Sequence, residues 1–92
     1  MPQNFTKDPV DLLPYTWDWG DWLTEVGDTI SSATVTVPEG LTADGAATFD
    51  ETSVTQRIAG GTVDETYTVS CQITTAGGLI DKWSIYITIR EQ

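Results

Sequence analysis

The stretch Thr66-Tyr-Thr-Val-Ser-Cys-Gln-Ile-Thr74, the link Thr75-Ala-Gly-Gly78 and the run Leu79-Ile-Asp-Lys-Trp-Ser-Ile-Tyr-Ile-Thr-Ile89 decide the fold. In the first arm Tyr67, Val69, Cys71 and Ile73 take every second position, with Thr66, Thr68, Ser70, Gln72 and Thr74 between them. That period of two is the mark of a half-buried strand. The second arm repeats it, with Leu79, Trp83, Ile85, Ile87 and Ile89 on one parity and Ser84, Tyr86, Thr88 and Arg90 on the other. Ala76-Gly77-Gly78 tolerates positive φ, so the two arms read as one long antiparallel hairpin. A lone hairpin is marginal in water, and its apolar face calls for a second layer.

The remaining chain supplies candidates for that layer. Residues 52–59 place Val54 and Ile58 on one face, with Thr55 and Arg57 on the other, before Gly60-Gly61. Residues 29–37 are β-branched and end at Pro38-Glu-Gly40. Within them Ile30 is out of parity with Ala33, Val35 and Val37, so burying all four requires a bulge near Ser31 or Ser32. Residues 41–49 read as a loop or short edge element. Tyr15-Thr-Trp-Asp-Trp19 alternates as a first strand, with Trp17 and Trp19 capping the core, while Trp22 falls outside the alternation and is expected on the surface. No segment sustains a helical period beyond a turn or two. The expected fold is an all-β, immunoglobulin-like antiparallel β-sandwich of about six or seven strands. Tyr67 starts the penultimate strand two residues before the core position Val69, which is where such folds anchor a corner through a tyrosine hydroxyl.

Residues 1–14 differ from residues 15–92, the sandwich. Pro2, Pro9 and Pro14 preclude a regular helix or central strand, and Phe5, Val10, Leu12 and Leu13 show no period. They read as an extended N-terminal arm, either a solvated terminus or a docking arm whose apolar residues bind a neighbour. Phe5, Val10, Leu12, Leu13 and Trp22 are the candidate partner-binding residues.

Fourteen acidic against four basic side chains give a net charge of −10, which disfavours nucleic acid and anionic membrane surfaces and favours a basic face on a protein partner. No apolar run reaches the length of a membrane span, and Met1-Pro-Gln-Asn-Phe5 lacks signal-peptide character, so synthesis in the cytoplasm is expected. Histidine is absent and Cys71 is the one cysteine, which removes the usual general base and any disulfide or thiol-histidine arrangement. Cys71, on the inward parity, reads as a small apolar filler. Asp18, Asp21, Glu25 and Asp28 cluster in sequence, yet they alternate with tryptophans or occupy turns, and no calcium-loop spacing occurs. No catalytic, cofactor-binding or metal-binding residue is expected.

Six short motifs, Phe5-Thr-Lys-Asp-Pro9, Tyr15-Thr-Trp-Asp-Trp19, Asp28-Thr-Ile30, Gly60-Gly-Thr62, Tyr67-Thr-Val69 and Thr74-Thr-Ala-Gly-Gly78, span nearly the whole chain. In their order and spacing the chain resembles a family of small proteins encoded among the virion genes of tailed bacteriophages. It departs from that pattern at Val35, where an aromatic residue is frequent, and in the longer turn Glu25-Val-Gly-Asp28. The resemblance implies a non-enzymatic virion structural protein near the capsid, neck or upper tail. It would bind capsid, portal, neck or tail subunits as a homo-oligomer and serve as connector or decoration. Two other classes stay open: a carbohydrate- or receptor-binding module using Trp22, and an assembly chaperone absent from the mature particle.

Overall fold

In the computed structural model, which describes residues 3–91, the hairpin forms as its alternation requires. The first two residues of the expected arm, and Gln92, lie outside the described residues. The element order is β1 (Gln3–Lys7), β2 (Leu13–Asp18), α1 (Gly20–Val26), β3 (Ile30–Thr36), β4 (Leu41–Ala43), β5 (Thr48–Phe49), β6 (Ser53–Gly60), β7 (Thr66–Thr75) and β8 (Ile80–Ile89). Pairing of β7 with β8 runs from Thr66 opposite Thr88 to Thr74 opposite Ile80. Leu79 falls in the turn rather than on the strand, and so it is exposed.

Two sheets make the sandwich. One has the order β1-β8-β7-β3; the other is β2-β6-β4, with β5 also on β6. This order is compatible with an immunoglobulin-type arrangement. Among the described residues the strand count reaches eight because residues 41–49 contribute two very short edge strands and Gln3–Lys7 joins the first sheet in parallel with β8. Between the sheets, Trp17, Val54 and Ile58 meet Val69, Cys71, Ile73, Ile85, Ile87 and Ile89, all fully or almost fully buried. Burying each such aliphatic side chain contributes about 1.5–3 kcal/mol. Truncating Ile87 to alanine, with its added cavity, removes about 2–5 kcal/mol.

The expected bulge is present: Ile30 faces Thr75 and Ser32 faces Thr74, so the register shifts between them and Ile30 is buried in spite of its parity. The segment after Trp19 coils into the seven-residue helix α1. Asp18 Oδ1 accepts the Gly20 N–H at 2.7 Å at its start. Its end is closed by Gly27 at φ 68°, with Asp28 N–H donating to Leu23 O and Gly27 N–H to Thr24 O, the pairing of a left-handed glycine cap. Coiling turns Leu23 into the core and leaves Trp22 half-buried against it, so Trp22 is less exposed than its place in the sequence suggests. Trp19 packs edge-on to Trp83 at 5.4 Å and donates its indole N–H to Asp81 Oδ2 at 2.8 Å, which ties this segment to β8. Tyr67 anchors a corner through its hydroxyl, which accepts the Thr62 N–H at 3.1 Å. Cys71 is a free, buried thiol.

Candidate partner-binding surface

The apolar residues near the N-terminus converge because β1 and β2 are edge strands of opposite sheets and run side by side. β1 pairs with β8 and β2 with β6, and the other edge of each borders a groove of about 380 Å³ lined by Phe5, Thr6, Leu13, Pro14, Tyr15 and Thr16. Phe5 meets Tyr15 edge-on across it, ring centroids 5.1 Å apart. The Tyr15 hydroxyl is buried without a hydrogen-bond partner among the described residues, and burial first, then the Asp11 carboxylate, raises its pKa. By contrast, a shallow depression on the outer face of the β1-β8-β7-β3 sheet is lined by Thr34, Thr36, Ser70, Gln72 and Lys82, the ordinary polar side of a half-buried sheet.

Residues 8–12 connect the two strands. Asp8 and Pro9 dictate a tight turn: Asp8 O accepts the Asp11 N–H at 3.0 Å and Asp8 Oδ1 accepts the Val10 N–H at 3.0 Å. The turn pushes Val10 to its tip, 88% exposed, with Leu12 and Leu13 exposed behind it. The loop thus presents Val10 and Leu12 to solvent next to Leu13 at the start of β2.

Lys7 holds the loop in place. It occupies the inward parity of β1 beside Phe5, is fully buried, and donates from Nζ to Gly60 O at 2.7 Å and Asp8 O at 2.9 Å. Burial lowers its pKa, against the opposing pull of the Asp11 and Asp8 carboxylates. Reading the sequence for apolar residues missed Lys7. The signal was there: a lysine in phase with Phe5, followed by Asp8 and Asp11, is a cation supplied with acceptors. Phe5 and Leu13 therefore share one groove, Val10 and Leu12 stand on the adjoining loop, and Trp22 is not among the groove's lining residues.

No cluster of three or more metal-ligating side chains exists among the described residues. Residues 7–88 match the model of the family described as podophage GP4 fiber-tail adaptor protein gp77. The chain belongs to this family. Membership places it among phage virion structural proteins, in agreement with the resemblance read from its motifs. The family's description concerns fibre and tail, where the resemblance had left capsid, neck and upper tail open. Lys7, Val10, Leu12, Leu13 and Trp22 lie inside the matched gp77-family region, and Phe5 lies just before it. No curated protein matches the chain.

Proposed function

We propose that this protein is a non-enzymatic adaptor of a podophage virion that joins tail fibre to tail by binding other virion proteins through the surface formed by Phe5, Val10, Leu12 and Leu13. The observation that carries the reading is the family match across residues 7–88, and the exposed apolar loop and groove support the choice of this surface. The protein works in several copies fixed by the symmetry of the tail. Its role is binding: the loop offers apolar area with acidic flanks, and the matched family is described as an adaptor.

The double substitution Val10→Asp with Leu12→Asp tests this. Both side chains are exposed, so the domain stays folded. Virions assembled with the variant are expected to lose adaptor and fibre together when their proteins are quantified by mass spectrometry. A full complement of fibres on particles that lack the adaptor would refute the proposal. Absence of the wild-type protein from mature particles would instead make it a chaperone.

A further inference from the structure

Open sheet edges invite pairing with other chains, and proteins usually guard them. In this domain the guards can be assigned strand by strand. On β2, Thr16 and Thr55 Oγ1 atoms lie 2.9 Å apart across the pair, the close approach of a pair that exchanges no backbone hydrogen bonds. Pro14 has the same parity, so its missing N–H falls on the outer edge and blunts it. β3 carries the bulge at residues 30–32, so that its edge is regular only from Ser32 to Thr36 and borders no part of the apolar groove, while β4 and β5 have three and two residues. The part of β8 that β1 does not cover carries the exposed charges Asp81 and Lys82, which an added strand would dehydrate.

β1 differs. Lys7 O accepts the Arg90 N–H at 2.9 Å, so Lys7 and, two residues back, Phe5 turn their backbone groups toward β8. Asn4 and Thr6 then point theirs outward along the groove. No proline, bulge or exposed charge interrupts Gln3–Lys7. Lys7 itself is already dehydrated and bonded, so a strand arriving there removes no further water from it.

Charge names the occupant. Of the four cationic side chains Lys7 is buried and, among the described residues, Arg57 pairs with Asp44 at 3.1 Å and Arg90 with Asp64 at 3.4 Å, which leaves Lys82 on the outer face of the β1-β8-β7-β3 sheet, on the part of β8 that β1 does not cover. Asp8 and Asp11 stand at the loop end of the groove and Asp18 at the far end of β2. A second copy would bring another −10 to this place. We propose that the free edge of β1 receives an extended segment of another virion protein, apolar at alternate positions and basic at its ends. That segment pairs with Asn4 and Thr6 and seats an apolar side chain between Phe5 and Leu13. This rests on the adaptor reading and specifies its mode of binding.

The test uses the full chain with purified tail particles lacking the adaptor and with purified fibre protein of the encoding phage. Binding of one of them is expected to protect the Asn4 and Thr6 amides of the wild type from hydrogen exchange. Thr6→Pro removes an outward N–H only and is expected to keep the circular dichroism of the wild type while binding at least tenfold more weakly. Ser84→Pro, outside the edge covered by β1, binds normally. Raising the salt, or Asp11→Asn, weakens binding several-fold. Should Thr6→Pro unfold, the exchange measurement on the wild type decides alone. Unprotected amides in a complex that Val10→Asp with Leu12→Asp still disrupts would overturn strand addition and leave the adaptor reading standing. Failure of the wild type to bind either component would overturn both. A dimer of this chain alone, abolished by Thr6→Pro, or binding insensitive to salt, would overturn the basic partner.

Discussion

Replacing Lys7 by methionine keeps a stem that fills the same space and removes the ammonium from Gly60 O and Asp8 O. A buried carbonyl left without a donor costs about 1–3 kcal/mol, but both residues here are half-buried and water can reach part of what Nζ vacates. The variant also escapes the dehydration of a buried charge, an opposing gain. The bonds win because two are lost together, and the net loss is expected at about 1–2 kcal/mol, or a fall in Tm of about 5–15 °C for a domain of this size. The pH dependence separates this account from simple loss of packing. The folded-state pKa of Lys7 lies below its ordinary value of 10.5, so between the two the unfolded chain holds the extra proton and stability rises with pH. A neutral amine still has two N–H groups for two carbonyls. The wild type should therefore pull further ahead of Lys7→Met as pH climbs from neutral to about 10. Thermal unfolding followed by tryptophan fluorescence at both pH values measures the gap. A methionine variant as stable as the wild type at neutral pH, or a gap that stays flat or narrows, would refute the reasoning.

The buried Tyr15 and the half-buried Tyr67 should respond in opposite ways to loss of the hydroxyl. Tyr67→Phe removes the acceptor of the solvent-exposed Thr62 N–H and should lower stability by about 0.5–1 kcal/mol, whereas Tyr15→Phe deletes a buried hydroxyl that has no partner among the described residues and should be neutral or mildly stabilising; chemical denaturation of both variants checks the contrast. Asp28 is held below its ordinary 3.8 by the Thr75 hydroxyl first and then by the Thr29 and Gly77 N–H groups. Its stabilisation is present above 3.8 and lost as pH falls through the lower folded value, so Asp28→Asn should flatten the acid limb of the stability profile without moving the alkaline one. Burial pushes the Cys71 thiol up to about 12, and labelling by a thiol reagent at neutral pH should wait for unfolding; immediate reaction with the native protein would contradict the core placement.

Where one face of a strand is buried along its whole length, the alternation in the sequence was enough. It gave the β7–β8 hairpin, the bulge after Ile30 and the Tyr67 corner, since each follows from which parity must meet the core. It failed where the burial signal is short or carried by an unexpected side chain. Helix α1 has seven residues, too few for a period to build up, and β5 has two. β1 hid because its inward parity reads Phe5 then Lys7, and a lysine looks like the end of an apolar face until Gly60 O and Asp8 O are known to receive it. The binding surface shows the same division. The apolar excess of Phe5, Val10, Leu12 and Leu13 was legible as composition, but the groove depends on two edge strands from different sheets lying together, which no local pattern encodes.

Lys7 also bears on affinity, although nothing places it in contact with a partner. A loop that must order on binding loses about 0.5–1.5 kcal/mol for each long side chain it immobilises, and here the Asp8 turn and the Lys7 bonds have met that loss during folding. Freeing residues 8–12 should thus weaken binding even with Val10, Leu12 and Leu13 unchanged. At the low end of that range, which suits short aliphatic side chains, two or three released cost about 1–1.5 kcal/mol, a Kd raised roughly five- to twelvefold. Lys7→Met, measured well below its lowered Tm against tail particles and fibre protein, should show this rise chiefly in the association rate, because fewer molecules present the loop correctly at encounter. Val10→Ala, which removes contact area from a loop still pinned, should act chiefly on dissociation. Equal association rates for wild type and Lys7→Met would mean that the loop holds its shape without the lysine, and the pinning role would fall while the groove remained.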